Sequence, residues 1–477
     1  MAKAIGDVLK DVASVVVIGL TWYFSGPMAA LKTFALSAAS RALAPKPPSL
    51  DAGTLEGRDT LINSPIASQR LILGTARVAG NLLYAEVTNS KQDLHLIIGL
   101  CSNKIGSTFV QIGDIDVKSS DSTTWGTLTN AGVASDGTDY GSNMQLIFMN
   151  GDPDQTLPSH IETNTSLTSD DRFRGIAYVY IKMTYNTTLF PNGIPQFQFL
   201  TTAADVPFFD NTPDYFISYP AVALYHYLTN DRYGLGFSDD ELDRDSFEKA
   251  QTQDYLQGFE ADGIIDLAGS PSDNIADLLS SNASYLTYTN GKFKLLPYEN
   301  PTYIYELMVA KWIDDTLITP DNIVGPISLS TEVPSDSKFN TAQAIYIEPE
   351  RGYQTYESPV LVYSPWLAED NGITNQVQVS LPLTIEDTKA QKLAWIEMAN
   401  SRRRYRLSLE VDLKGCFVDV GDRLDLDLTS IGIPDVGPFE VVSWELSPST
   451  DGTTVKLGLV GGSRYINLLN LPFEPVT

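Results

Sequence analysis

Residues 70–117, RLILGTARVAGNLLYAEVTNSKQDLHLIIGLCSNKIGSTFVQIGDIDV, constrain what this chain can fold into more than any other stretch. Three apolar runs, Leu71–Leu73, Leu82–Val87 and Leu94–Leu100, are punctuated by Gly74, Gly80, Asn89 and Asn103. Runs this short between turn formers predict strands, because a helix needs a longer 3.6-residue pattern. Gly74 and Gly80 bracket Thr75–Ala79, which reads as a hairpin-like connection, since glycine takes positive φ without steric cost. Leu94, Ile97, Ile98 and Leu100 scarcely alternate with polar residues, so this strand is expected to be covered on both faces.

At 477 residues the chain is too long for one core, and about two to four domains are expected. A hydrophobic content of 43%, with 34 glycines and 27 prolines, points to real cores in a turn-rich, β-rich protein. The 59 acidic residues outnumber 32 basic ones, giving a formal net charge of −27. That argues against a duplex-DNA-binding surface, where phosphates are neutralised by clustered Lys and Arg. The charge is uneven. Residues 1–50 hold Lys3, Lys10, Lys32, Arg41 and Lys46 against Asp7 and Asp11, so the remainder carries −30. Cys101 and Cys416 have no Cys or His at metal-ligand spacing and read as buried free thiols. His95 reads as a satisfied strand residue, and His160 and His226 lie far from it in sequence.

Residues 1–49 are an apolar leader. Val12, Val15, Val16, Ile18, Leu20, Trp22 and Phe24 fall in its first run, and Gly26-Pro27 interrupts it. An Ala/Leu-rich helical pattern over Met28–Ala44 ends at Pro45, Pro47 and Pro48. Three readings are open: a cleaved signal ending near Ala42-Leu43-Ala44, a membrane-active segment of about the 20 residues a span requires, and helices plugging an oligomer axis, apolar all round because neighbours cover them.

The remainder divides into three modules. Residues 50–205 form a first β module, with a polar, loop-rich insertion at about 118–171 that holds scattered hydrophobic runs such as Met144–Met149 and is expected to form its own small strands and to be exposed. Residues 206–318 form a middle α/β module. Its helix over Tyr219–Leu228 has Pro220 in the first turn and Ala221, Leu224, Tyr225 and Leu228 on one face. Gly234 and Gly236 follow it without the third glycine or Gly-Lys-Ser/Thr of a phosphate loop. Asp239, Asp240, Asp243 and Asp245 lack the mid-loop Gly and final Glu of a calcium loop and read as a helix N-terminus. Asn290-Gly291 between Tyr285–Tyr288 and Phe293–Leu296 is a strong hairpin signal. Residues 319–477 form a second β module. It holds an amphipathic helix over Asp387–Arg403 and a strand in which Tyr405, Leu407, Leu409, Val411 and Leu413 share one face. Arg402, Arg403, Arg404 and Arg406 make the only basic cluster. The strand places Arg404 and Arg406 with Glu410 and Asp412, so cross-strand pairing is the expected role.

Several phrases of this sequence resemble, in order, those of the central tail hub, or tail tip, proteins of long-tailed bacteriophages, the host-specificity type. They are Ser64-Pro65, then Gly74, Arg77-Val78, Gly80 and Tyr84; Gly175-Ile176-Ala177-Tyr178-Val179 leading to Phe190, Gly193, Pro195 and Phe197; Pro220-Ala221 through Thr229-Asn230, Arg232-Tyr233-Gly234 and Gly236; Leu286-Thr287-Tyr288 with Gly291-Lys292-Phe293; and Val420-Gly421-Asp422-Arg423-Leu424 with Phe439–Val442 and Asp451-Gly452-Thr453. The resemblance spans roughly residues 62–460 and marks Gly74, Arg77, Gly80, Pro220, Arg232, Tyr233, Gly234, Gly236, Gly291, Gly421 and Asp422 as structural motif residues.

The resemblance implies a mainly β, α+β, multi-domain fold of tube-like antiparallel β-barrel modules in a ring-forming homotrimer. It implies partners in the tail tube or distal tail proteins, in tail fibre or receptor-binding proteins and in the tape-measure protein of the lumen. DNA would pass without specific binding, and the location would be the virion's tail tip after synthesis in the host cytoplasm. It favours the axial-plug reading of the leader, with the host membrane as a further partner of those helices. No nucleophile elbow, zincin helix, Walker loop or paired-His constellation occurs, so no catalytic, cofactor or metal residue is named and the chain does not read as an enzyme. Two other functions stay open: a tail-associated envelope hydrolase and a membrane-penetrating pore formed by the N-terminal segment.

Overall fold

The structure is a computed structural model that describes residues 68–113, 115–120, 124–191, 194–204, 218–289, 291–298, 312–313, 318–403, 405–432, 439–449 and 452–461. The apolar leader, with Val12, Val15, Val16, Ile18, Leu20, Trp22 and Phe24, lies outside the described residues. The fold is mainly β with helices, of the α+β class.

The chain opens with β1 (Arg70–Leu73), β2 (Thr75–Val78), β3 (Asn81–Thr88), β4 (Asp93–Cys101), β5 (Ile105–Ile112) and β6 (Ile115–Ser120). β7 (Thr129–Val133), β8 (Asp139–Asn150), the short helix α1 (Ser159–Asn164), β9 (Ala177–Thr184) and β10 (Phe197–Ala203) follow. Two antiparallel sheets result, ordered β3-β4-β9-β8-β7 and β2-β10-β5-β6. They face each other across one core: Leu96, Ile98, Leu146, Phe148, Val179 and Ile181 from the first, Val78, Val110, Phe197 and Phe199 from the second. β4 is buried along almost its whole length, as its unbroken apolar run predicts. Its inward residues serve this core, while Ile97 points the other way into a second cluster with Ile147, Tyr178, Tyr180 and Ile161 of α1.

Two expectations for this region are corrected. Thr75–Ala79 is not a turn between strands, because Thr75–Val78 is itself strand β2 and pairs with β10. The residues at 118–171 are not simply an exposed insertion: β8 pairs with β9 over Met144–Asn150, and Met144, Leu146, Ile147 and Phe148 are fully buried. The stretch Met144–Asn150, all non-polar or amide side chains, suffices to place the strand in the middle of a sheet, because alternate residues reach both cores.

The middle part comprises α2 (Pro220–Thr229), α3 (Arg244–Gln257), β11 (Gly263–Asp266), α4 (Pro271–Ser280) and the hairpin β12 (Tyr285–Thr289)–β13 (Lys292–Leu296). Leu224 and Leu228 of α2, Phe247 of α3 and Ile275 and Leu278 of α4 extend the core that the two sheets begin. β11 pairs antiparallel with β1. The acidic run ends as expected at a helix start: Asp243 is the residue before α3 and Asp245 lies in its first turn.

The last part contains β14 (Trp312–Ile313), β15 (Ser328–Ser330), β16 (Thr341–Glu348), β17 (Gln354–Glu357), β18 (Leu361–Val362), the short helix α5 (Ser364–Glu369), β19 (Gln376–Ser380) and α6 (Asp387–Ser401). β20 (Tyr405–Val411), β21 (Arg423–Leu424), β22 (Phe439–Ser449) and β23 (Gly452–Gly461) complete it. β16 pairs with β17 and β18 and, in parallel, with β19. α6 covers that sheet through Leu393, Ala394, Ile396 and Met398. Beyond Leu393 every residue of α6 up to Asn400 is buried, so its second half is enclosed all round where a one-sided helix was expected. The other sheet is ordered β14-β21-β22-β23-β20-β15. Leu407, Leu409 and Val411 of β20 face its core, as the alternation predicts. Leu413 does not join them: it lies in a 3-10 turn and is 56% exposed.

Among the described residues no sheet closes into the expected barrel. Each is open, and the sheet around β16 branches, with β19 off the β17-β16-β18 path. Closure needs pairing carried right round the sheet, and β14, β15, β18 and β21 are each only two or three residues long. Cys101 is buried, but Cys416 is exposed, against the expectation of two buried thiols, because its 3-10 turn lies outside the sheet. As a test of the place of β8, Phe148→Ala is expected to cost roughly 3–5 kcal/mol in urea denaturation. Val133→Ala at 65% exposure in neighbouring β7 is expected to stay within about 0.5 kcal/mol. Equal small effects would return β8 to a peripheral insertion.

Candidate functional site

The motif residues collect where one element is locked onto another. The first joint surrounds Gly74. Here the chain leaves the β1–β11 ladder and enters the β2–β10 ladder. Gly74 has φ +46°, and a Cβ there would overlap the carboxylate of Asp262 and lie 2.9 Å from the Ala261 carbonyl. The space is used: Asp262 Oδ1 accepts the Thr75 N–H at 2.8 Å, while the Asp262 N–H donates to the Leu383 carbonyl at 2.8 Å. Burial pushes the Asp262 carboxyl up to about 6, against the bond from Thr75. Arg77, 9% exposed, donates through Nη2 to the Gly113 carbonyl at 2.7 Å. Gly80 (φ +75°) passes so close to Ile98 and the Gly99 carbonyl that a side chain would not fit. A cavity at this joint, lined by Thr75, Arg77, Gly263, Ile347, Tyr353 and Ile385, has about 10 Å³, room for about one water.

The second joint is the turn after α2. Pro220 occupies the first turn of α2, and the next N–H, of Ala221, donates to Asp254 Oδ2 at 2.9 Å. Asp254 Oδ1 accepts from Asn282 Nδ2, also at 2.9 Å. Full burial raises this carboxyl to about 7, opposed by those two bonds. Past the helix, Asn230 Oδ1 accepts the N–H groups of Arg232 and Tyr233 at 2.9 and 3.1 Å. Tyr233 OH shares a short hydrogen bond with His226 Nε2. Gly234 packs on the Tyr227 carbonyl with no space for a Cβ, and Gly236 takes φ +64° beside Asp231. Arg232 then lies against Gly175, whose missing side chain makes room for the guanidinium, and donates to the Arg174 carbonyl at 3.4 Å. The sequence phrase ending in Arg232-Tyr233-Gly234 is thus a clamp between the helices and the β8–β9 connection.

The third joint binds the β12–β13 hairpin to the last sheet. Gly291 takes φ +81° in the hairpin turn, with open space around it. Gly421 (φ +91°) lies directly on Leu296, and its N–H donates to the Val441 carbonyl at 2.8 Å. Asp422 Oδ2 accepts the Asp419 N–H at 2.8 Å, and its carbonyl accepts from Val441 at 2.9 Å. Beside them Arg403 and Glu440 form an ion pair at 3.0 Å with both side chains 3% exposed. Tyr285 OH of β12 donates to Glu440 Oε1 at 2.8 Å, and Arg403 Nη2 to the Val460 carbonyl at 3.0 Å. Arg402 turns the other way and pairs with Asp370. Arg402 and Arg403 are therefore used in structural ion pairs, whereas Arg404, one of the two residues expected to pair across strands, lies outside the described residues. Asp254 and Asp262 were not legible as site residues, since each acts on a segment remote in sequence, and Gly175 and Glu440 stood within motif phrases without an assigned role.

His95 is 1% exposed, held between Thr88 Oγ1 and Tyr180 OH at 2.7 Å each. Among the described residues no group of three or more His, Cys, Asp or Glu could hold a metal, and no helix is long and apolar enough to cross a membrane. What these joints can do chemically is hold position.

Residues 270–435 match the family model described as a putative phage tail protein. A protein in the virion of a native gene transfer agent particle shares the fold at TM-score 0.56 and 15% identity, with 99% of each chain covered. A tail protein from Neisseria meningitidis MC58 aligns at TM-score 0.30 and 11% identity over 82% of this chain and 92% of its own. The 43 kDa tail protein of prophage MuSo2 from Shewanella oneidensis aligns at 0.28 and 9% over 80% and 91%. No curated protein sequence matches the chain.

Four variants test the joints. Gly234→Ala is expected to cost about 3 kcal/mol or more, because its new Cβ meets backbone. Gly291→Ala, strained only in φ, is expected to cost about 1 kcal/mol. Arg403→Met strands Glu440 in the interior and should cost roughly 3–5 kcal/mol, much of it regained in Arg403→Met with Glu440→Leu. Chemical denaturation reads all four. A double variant no better than the single one would contradict the coupling.

Proposed function

We propose that this chain is a structural virion protein, the central hub of a phage tail tip. It closes the distal end of the tail tube, attaches fibres and tip proteins, and opens to let DNA exit. The observation that carries this reading is the family match over residues 270–435, supported by a fold shared along nearly the whole chain with a protein of a gene transfer agent virion. In this reading residues 50–205 and 319–477 are the two tube-matching β modules, residues 206–318 lie between them, and residues 1–49 plug the axis. It acts by holding position and is not an enzyme. Its partners are two further copies, the tail tube or distal tail proteins, fibre or receptor-binding proteins and the tape-measure protein.

The open sheets favour assembly. β21 covers β22 only at Phe439 and Glu440, so from Val442 onward that edge has no backbone partner among the described residues. Trp444 and Leu446 on it are 37% and 46% exposed, with Leu413 and Phe417 of the adjoining turn more so. Free edges with apolar side chains are liabilities in a monomer and pairing sites in a ring. The net charge of −27 suits a channel that DNA slides through, with repulsion felt within a Debye length of about 8–10 Å.

Light scattering on the full chain is expected to give three times the monomer mass, and Leu446→Lys should shift it towards monomer with its denaturation midpoint nearly unchanged. A monomer that stays monomeric and leaves tube ends uncapped when tail tube protein is added would sink the hub reading.

A further inference from the structure

The joint at Gly74 has a property that holding position alone does not require. Three segments meet there: the β1–β2 bend, the strand leading into β11, and Leu383 ahead of α6. Asp262 touches all three, through Oδ1 to the Thr75 N–H and through its own N–H to the Leu383 carbonyl. Beyond Asp262 the contact continues at Gly263, where a Cβ would lie 3.1 Å from Leu383 and 3.2 Å from the Pro382 carbonyl.

The charges facing this carboxyl are unbalanced. From its own segment comes Glu260, and from the start of α6 come Glu386 and Lys389. Lys389 Nζ is already engaged at 2.5 Å by Glu260 and at 2.9 Å by Glu386. Tyr353, from the turn after β16, also faces Asp262 and is itself influenced by Arg77 of β2. Three carboxylates thus share one ammonium, and the most buried of the three has no cation of its own within ion-pair distance among the described residues.

We propose that Asp262 is a proton-operated latch: protonated, it holds the β1–β2 bend, the β11 strand and the Leu383 segment together, and ionised, it is repelled by Glu260 and Glu386 and loosens the joint. The titration falls in a useful range, since burial brings the carboxyl up to about 6. The sign follows from linkage. A carboxyl raised above its unfolded value stabilises the closed joint at low pH and loses that contribution as pH rises through about 6. This device is independent of the phage-tail reading, because it needs only the joint.

The test is amide hydrogen exchange of the full chain, read on the peptide containing Thr75 and corrected for the intrinsic exchange rate, between about pH 5 and 8. The protection of Thr75 is expected to fall about tenfold or more across that range. Asp262→Asn keeps an acceptor for Thr75 without a titrating group, and its protection should stay level. Glu260→Gln with Glu386→Gln leaves Asp262 in place and removes the repulsion that raises its carboxyl, so its fall should be shallower and displaced to lower pH. Level protection in the parent, or the same fall in Asp262→Asn, overturns the latch. Should that variant fail to fold, an unchanged fall in the double glutamine variant overturns it equally.

Discussion

The contact of the Asp262 carboxylate with the N–H of Thr75 settles the course of the first half of the chain. At Gly74 one continuous run of residues must serve two ladders, with β11 before the bend and β10 after it. Such a change of partner exposes a backbone donor that neither ladder takes, and a buried donor left alone costs about as much as a lost hydrogen bond. A carboxylate supplies the acceptor only if nothing stands between it and the backbone, which is why a residue without a side chain precedes Thr75. The same logic repeats at Gly234 against the Tyr227 carbonyl and at Gly421 against Leu296. In each case the glycine is the receiving half of a contact whose other half lies elsewhere in the chain.

That division explains what could be read in advance. Periodicity is local, so β1, β3, β4, β20, α2, α6 and the β12–β13 hairpin were visible in the apolar pattern. Receiving glycines were visible too, as part of recurring phrases. Their partners were not, because Asp262 stands 187 residues from Thr75 and looks in sequence like any other acidic residue of an acidic chain. The two misreadings have the same source. Glycines on either side of Thr75–Ala79 are what a turn requires, and equally what a strand requires when it must switch sheets. Met144–Met149 was visible as a hydrophobic run, but its polar surroundings made it read as a small exposed strand, whereas Leu146, Ile147 and Phe148 are fully buried.

The third joint uses charge where the first two use shape. Arg403 and Glu440 are both almost fully enclosed, and such a pair contributes little net stability over an apolar pair of similar volume. Its consequence is specificity. Glu440 of β22 engages Arg403 from the end of α6 and Tyr285 from β12 together, so three elements meet at one carboxylate. Arg402, one residue earlier, binds Asp370 beside α5. The two arginines therefore tie the end of α6 to both sheets of the last part.

The same interior carries carboxyls that water would ionise. Burial raises Asp254 and Asp277 to about 7 and Glu397 to about 8. Each sits above its unfolded value, so each favours the folded state at low pH and withdraws that support as pH rises from about 4 through 7 or 8. Glu397 lies 6% exposed in the enclosed half of α6, where a neutral acid is far cheaper to bury than a carboxylate. Asp254 is different, because its oxygens accept the first N–H of α2, that of Ala221, and the amide of Asn282. An acceptor at that helix end is needed in either protonation state, and a carboxyl provides one in both. Near neutral pH these interior groups hold part of their protons, so the formal charge of −27 overstates the charge that acts.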